Sequence, residues 1–324
     1  MRVLVIGANG YIGSRAIPVL VDAGHEVQAG ARDPSKLDAF WWRERVRPVR
    51  IDVQDAASVS AAMSAGIDAI VYLVHGMASD DFEDADRAAA ENVRAAVAAA
   101  GVARVVYVSG IIPPVPTDEL SEHLRSRHEV EQILSDAPAT VVTLRAAMVF
   151  GGGSTSFELM RQLADRLPIT VVPDWMQHRV EPIAVVDLAQ AIAGALVADV
   201  GTGHLDIGGG QPVLYPDLIA QYTELAGTSR LQLTTGLLPE KLVAQVAAWI
   251  ADVPSPTVKA LMESLQDDMV AGDRRWIGEL VDAAYAPVST AEAITRSLRR
   301  ADDTVPDSER DPMQQLRSDP DWAG

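Results

Sequence analysis

Apolar and polar positions follow two rhythms along the first 150 residues. Residues 3–6 are an uninterrupted apolar run, the pattern of a parallel strand buried on both faces. Strand-like runs return at 25–31, 49–53, 68–74, 104–109 and 139–144. Helix-length segments lie between them, the first ending near Gly24 and the others covering about 85–100 and 120–134. Such alternation predicts βαβ units with right-handed crossovers, hence an α/β fold of Rossmann type, a doubly wound parallel sheet with helices on both faces. Pro18 falls inside the first helix and is expected to bend it.

From Gly151 the rhythm loosens. Residues 151–154 read as a loop, 156–167 as a helix, and 173–180 as a loop carrying Trp175, His178 and Arg179. Apolar residues return at helical spacing over 239–250 (Leu242, Val246, Trp249, Ile250) and 257–265 (Leu261, Leu265). The expected division is a first domain over 1–150, with segments around 180–208 returning to it. A smaller, mainly helical substrate or lid region covers 151–300, and an acidic tail covers 301–324. No internal repeat is visible.

Composition narrows the classes. The formal net charge of −18 argues against nucleic acid as a partner, because phosphate backbones need clustered Lys and Arg. It does not exclude an anionic small molecule, which needs only a local basic pocket. Asp302, Asp303, Asp307, Glu309, Asp311, Asp319 and Asp321 concentrate the acid at the end, which reads as a solvated, partly disordered segment or, alternatively, an interaction arm. Cysteine is absent, so disulfides and thiolate metal sites are excluded, and the scattered histidines suggest no metal. Neither a signal peptide nor a membrane-spanning run is present, which points to the cytoplasm and away from a membrane. The oligomeric state is left open.

The chemistry starts at the end of the first strand. Gly7-Ala8-Asn9-Gly10-Tyr11-Ile12-Gly13 is Gly-x-x-Gly-x-x-Gly between a strand and a helix, the context in which a glycine loop cradles a pyrophosphate at a helix N-terminus. The second strand ends in Ala31-Arg32 with no carboxylate at its tip. Arg32, Arg15 and Lys36 would suit a ribose 2′-phosphate, whereas Asp33 starts a turn with Pro34, so NADP(H) is favoured over NAD(H).

Together with Asp52-Val53, Asn92, Ser109, Val185-Val186-Asp187 and Asp206-Ile207-Gly208-Gly209, the loop resembles the extended and atypical branch of the short-chain dehydrogenase/reductase superfamily over roughly residues 1–225. The resemblance implies that Asp52 and Val53 hold the adenine and that His75-Gly76 passes beside the cofactor ribose. It also implies a Tyr-x-x-x-Lys on the helix after the fifth strand, working with a Ser. Here that stretch reads His123-Leu-Arg-Ser-Arg127, with no tyrosine. The spacing puts His123 and Arg127 on one helix face. Arg127 would fork the ribose hydroxyls but cannot act as an acid, whereas His123 would donate a proton. Ser109, Trp175 and His178 are the candidate substrate contacts, and Trp175, Met176 and Trp249 also read as packing residues.

Three readings follow. In the first, NADPH reduces a ketone on a small aromatic or polycyclic, polyketide-like substrate, a ketoreductase of antibiotic-type biosynthesis. Ser109 and His123 then serve the nascent alkoxide, or the substrate's own phenol does. In the second, the chain resembles the nitrogen-metabolite-repressor-like members and senses NADP(H) without turnover. In the third it is a sugar-nucleotide epimerase or dehydratase.

Overall fold

The structure is a computed structural model, and it describes every residue except 65, 77–81, 168, 229–230, 236–239, 301 and 324. For residues 170, 231, 232, 234, 235, 240–242 and 323 it describes the backbone alone.

The six predicted strands form as β1 (Arg2–Ile6), β2 (Glu26–Ala31), β3 (Arg47–Arg50), β4 (Ala69–Tyr72), β5 (Arg104–Gly110) and β6 (Thr140–Ala146). The chain later returns with strand Gly203–Ile207, and the seven strands pair in the order Gly203–Ile207, β6, β5, β4, β1, β2, β3, all parallel. Order reverses between β1 and β4, so a crevice opens beyond the carboxyl ends of these strands. Helices α1 (Tyr11–Asp22), α2 (Ala56–Met63), α3 (Phe82–Ala100) and α4 (Glu122–Ser135) make the crossovers. Helix α1 runs on through Pro18.

Strand β1 shows why the run at 3–6 had to be wholly apolar. Val3 and Val5 enter one core with Ile17 and Leu20 of α1 and with Leu188 and Ile192 of helix Val185–Val197. Leu4 and Ile6 enter the opposite core with Val59 of α2, Val93 of α3 and Val130 of α4. A polar residue at any of the four would face one core or the other.

Strand β3 begins two residues earlier than the apolar pattern implied. It lies at the sheet edge, where Pro48 is tolerated because no further strand needs its missing N–H. The stretch 173–180, expected to be a loop, instead contains the end of strand Ile169–Pro173, a short 3-10 turn and strand Arg179–Val180. Strand Arg179–Val180 pairs antiparallel with Val213–Leu214, and a two-residue strand is too short to show a period. The helices expected over 239–250 and 257–265 form as Glu240–Ile250 and Ser255–Glu263. Pro239 lies outside the described residues.

The acidic tail departs most from expectation. Residues 302–309 are mostly exposed, but the rest is not a solvated end: Met313 is fully buried, Leu316 is 6% exposed, and Trp322 packs against the C-terminal core. Three of its carboxylates are matched closely by arginines, Asp311 by Arg296, Asp307 by Arg310 and Asp319 by Arg15. Acidic composition alone conceals such partners, two of which, Arg15 and Arg296, lie outside the tail.

Leu144 of β6 is fully buried in the first core. Leu144→Ala is expected to cost about 2–5 kcal/mol in urea unfolding. A loss under about half a kcal/mol would mean that this face of the sheet is not close-packed.

Candidate functional site

The glycine loop is built from the backbone outward. Gly7 adopts φ +93°, and the carbonyl of Gly30 on β2 accepts from both Gly7 N–H and Ala8 N–H at 3.1 Å. Gly10 N–H donates to Gly7 O, and Ser14 N–H is the first to donate back into α1, to Gly10 O. A Cβ at Gly13 would stand 2.5 Å from Gly7 O, so no larger residue fits this turn. The first turn of α1 has no side-chain cap and no acidic residue. Its N–H groups and the helix dipole are therefore left facing the crevice, as a phosphate would require.

Helix α4 supplies the other wall. Ser121 Oγ caps it by accepting from Leu124 N–H. His123, Arg127 and Glu131 follow at four-residue spacing, and all three are buried. Glu131 locks that face to the sheet through a bidentate, buried pair with Arg145 of β6, at 2.8 and 2.9 Å. One and two turns nearer the helix start, Arg127 and His123 share a cavity of about 270 Å³ with Ser109 and the glycine loop. Leu124, Met148, Leu159, Leu261 and Met269 are among its apolar walls, and no carboxylate is among its lining residues.

The polar groups here are under-satisfied. Arg127 donates one bond, from Nη1 to Val108 O at 3.2 Å, and its Nε is buried without a partner. Burial pulls this guanidinium down to about 9, so it stays charged at neutral pH. Ser109 Oγ is likewise buried and unpartnered. Burial also pulls the His123 imidazole down to about 4, which makes it neutral at pH 7. The His75 ring lies edge-on to it, with centroids 6.4 Å apart. Gly76 is held by its N–H, which donates to Asp86 Oδ1 at 2.7 Å, while burial raises the Asp86 carboxyl to about 6.

On the far side of the glycine loop stand the residues expected to meet the adenosine half. Arg32 is exposed and makes no ion pair among the described residues, and Asp33 accepts from Ser35 as the cap of the next turn. Asp52 and Val53 follow β3, and Val53 O accepts from Asn92 Nδ2 of α3. Arg15 is a correction. Its guanidinium is fully engaged by Asp319, at 2.5 and 2.6 Å, and by the carbonyls of Pro312 and Gln314, so it offers no fork to a ribose phosphate. The helix turn that brings Arg15 near the loop also points it away, at the tail.

A sequence profile described as NAD(P)H-binding matches residues 7–172, just over half of the chain. The chain belongs to that NAD(P)H-binding family. An uncharacterized protein of Mycobacterium tuberculosis is 30% identical over 151 residues, which are 47% of this chain and 15% of that protein. Cinnamoyl-CoA reductase 1 of Oryza sativa is 36% identical over 114 residues, 33% of each chain. The match thus spans a third or less of either relative. The fold is shared with triphenylmethane reductase of Citrobacter sp., solved with NADP(H), at a TM-score of 0.71 and 17% identity, covering 92% of this chain and 100% of that one.

The bare α1 terminus, the Arg127 guanidinium without a carboxylate and the Ser109 hydroxyl fit the family's nicotinamide dinucleotide. Two expected substrate contacts do not join them. His178 lies at the surface beside Asp268, 3.3 Å away, and Trp175 is half-buried against the C-terminal core; neither lines the cavity. Sequence reasoning missed Met148, Met269 and above all Tyr215, the first residue of helix Tyr215–Leu225. Burial raises the Tyr215 phenol, which stays protonated at neutral pH. Nothing near Tyr215 in sequence marks it, since the fold brings it to the cavity. Among the described residues no cluster suited to a metal ion is present, and no helix is long and apolar enough to cross a membrane.

The imidazole state has a measurable sign. A folded-state value near 4 lies below the ordinary 6.5, so the contribution of neutral His123 is complete above pH 6.5 and is lost as pH falls toward 4. His123→Gln is expected to abolish that loss, worth about 3 kcal/mol, when urea unfolding at pH 7 and pH 4 is compared with the parent. Identical pH dependence in parent and variant would show that His123 titrates normally.

Proposed function

We propose that this protein is an NADPH-dependent reductase of a carbonyl on a small apolar substrate, aromatic or polycyclic and polyketide-like in shape. One observation carries the reading. Of the four buried arginines among the described residues, Arg15, Arg145 and Arg310 have carboxylate partners, while Arg127 has none and opens into an apolar cavity at the carboxyl end of the sheet. A buried, unmatched cation beside an unpartnered hydroxyl suits a ligand oxygen that gains negative charge. The names of cinnamoyl-CoA reductase and triphenylmethane reductase point to reductions of aryl compounds, which supports the substrate class.

The cofactor, when bound, supplies the hydride. Gly7, Asn9, Gly10, Tyr11, Ile12 and Gly13 would hold its pyrophosphate, Arg32 its 2′-phosphate, Asp52 and Val53 its adenine, and His75, Gly76 and Arg127 its nicotinamide ribose. Ser109 Oγ donates a hydrogen bond to the substrate oxygen. Neutral His123 orients that oxygen through an N–H and does not act as an imidazolium acid, which leaves the protonated phenols among the lining residues, Tyr11 and Tyr215, to give the alkoxide its proton. The same neutrality favours a second reading, in which the protein binds NADP(H) without turning it over.

The deciding experiment follows NADPH absorbance with a panel of polycyclic ketones and quinones. Turnover is expected with at least one, and Arg127→Met is expected to lower kcat/KM about 100-fold. Arg32→Ala is expected to weaken NADPH about tenfold and leave NADH unchanged. No consumption of NADPH with any carbonyl class, despite tight binding, would reject the reductase in favour of the sensor.

A further inference from the structure

The tail segment 310–322 reaches the cofactor end of the molecule at one place, the first turns of α1. There the Arg15 guanidinium, 3% exposed, binds both carboxylate oxygens of Asp319 and also donates to Pro312 O at 3.2 Å and Gln314 O at 3.2 Å. The guanidinium carbon also stacks over the ring of Tyr11, one turn earlier, at 4.5 Å. Tyr11 in turn lines the cavity.

The socket for this contact is the Gly151-Gly152-Gly153 loop. A Cβ at Gly151 would stand 2.0 Å from the Tyr11 hydroxyl. At Gly152 it would meet Gln315 N at 2.7 Å, and at Gly153 Asp319 Oδ2 at 2.6 Å. Gly152 N–H also donates to Met313 O at 2.8 Å. Each of the three glycines therefore makes room for one part of the same junction: the phenol, the tail backbone or the tail carboxylate.

We propose that Asp319, acting through Arg15, is a positioning residue for the dinucleotide site, and that the C-terminal segment clamps the phosphate-binding turn of α1 from outside. The Gly30 carbonyl fixes that turn from the sheet side, and the tail fixes it from the opposite side. The clamp rests on the family's cofactor binding and not on which reaction follows. Coupling of this kind is reciprocal, so cofactor binding must tighten the tail as much as the tail tightens the cofactor.

The primary test uses the native chain. Hydrogen exchange followed by mass spectrometry, with and without NADPH, is expected to slow at residues 312–319 by about threefold or more, alongside the loop at 7–13. Protection of 7–13 with no change at 312–319 overturns the proposal. Variants give the converse. Asp319→Asn alone would leave Arg15 uncompensated near the phosphates, an attraction that would mask lost positioning. Arg15→Met combined with Asp319→Leu removes charge and contact together. In that double variant NADPH Kd by calorimetry is expected to rise about tenfold. Asp303→Asn, on an exposed tail carboxylate, is expected to change Kd less than twofold. A double variant that lowers Tm but binds NADPH within twofold of the parent would reduce the junction to a stability element and sink the proposal.

Discussion

The carbonyl oxygen of Gly30 takes two amide protons, from Gly7 and from Ala8, and the dinucleotide end of the protein is organised around that shared acceptor. With those two amides committed to β2, the chain must turn at Gly7 and enter α1 without a side-chain cap. The N–H groups at the helix start are then the ones left over. Gly10 stands at the cap position, where Ser or Asp would add only about a few tenths of a kcal/mol over glycine but would place a side chain on these N–H groups. The fold forgoes that cap, and a phosphate can take its place.

A second anchor works on the other side of the crevice. Helix α4 carries His123, Arg127 and Glu131 on one stripe, and the Glu131–Arg145 pair fastens the stripe to β6. Because Arg145 and Ser109 are register partners on adjacent strands, the anchor and the cavity-lining Ser109 are tied to the same rung of the sheet. The geometry between Ser109 and Arg127 thus depends on a ladder of backbone bonds and one buried ion pair, not on a loop.

The sheet, the glycine loop and the His123–Arg127 stripe were legible in the sequence, since each rests on local periodicity or spacing. Arg15 misled for a physical reason: proximity along a helix fixes the position of Cα but not which neighbour claims the guanidinium. Its claimant lies 304 residues away, in a segment whose composition resembles solvated acid. Hints existed in Met313, Leu316 and Trp322, apolar residues that a fully solvated tail does not need. Tyr215 left no such hint. It follows a two-residue strand and enters the cavity only because that strand pairs with Arg179–Val180.

A chain of net charge −18 can keep an anion-receptive cavity because its buried carboxylates are already committed. Glu181 accepts from Gly210 and Ala271 amides, Asp187 from Tyr285 and Val288, Glu131 from Arg145, and Asp319 from Arg15 and Leu316. None of these lines the cavity. The remaining acid is largely on the surface, where solvent and salt screen it over about 10 Å. Inside, Arg127 is the one arginine or lysine among the described lining residues, and it adds to the positive end of the α1 dipole at an effective dielectric far below that of water. A carboxylate partner would have offset part of the several kcal/mol that burying this charge costs the empty fold. That pairing would also have cancelled the one charge able to stabilise a ligand oxygen. The uncompensated guanidinium is therefore a local cost to stability that makes sense only in the presence of a ligand.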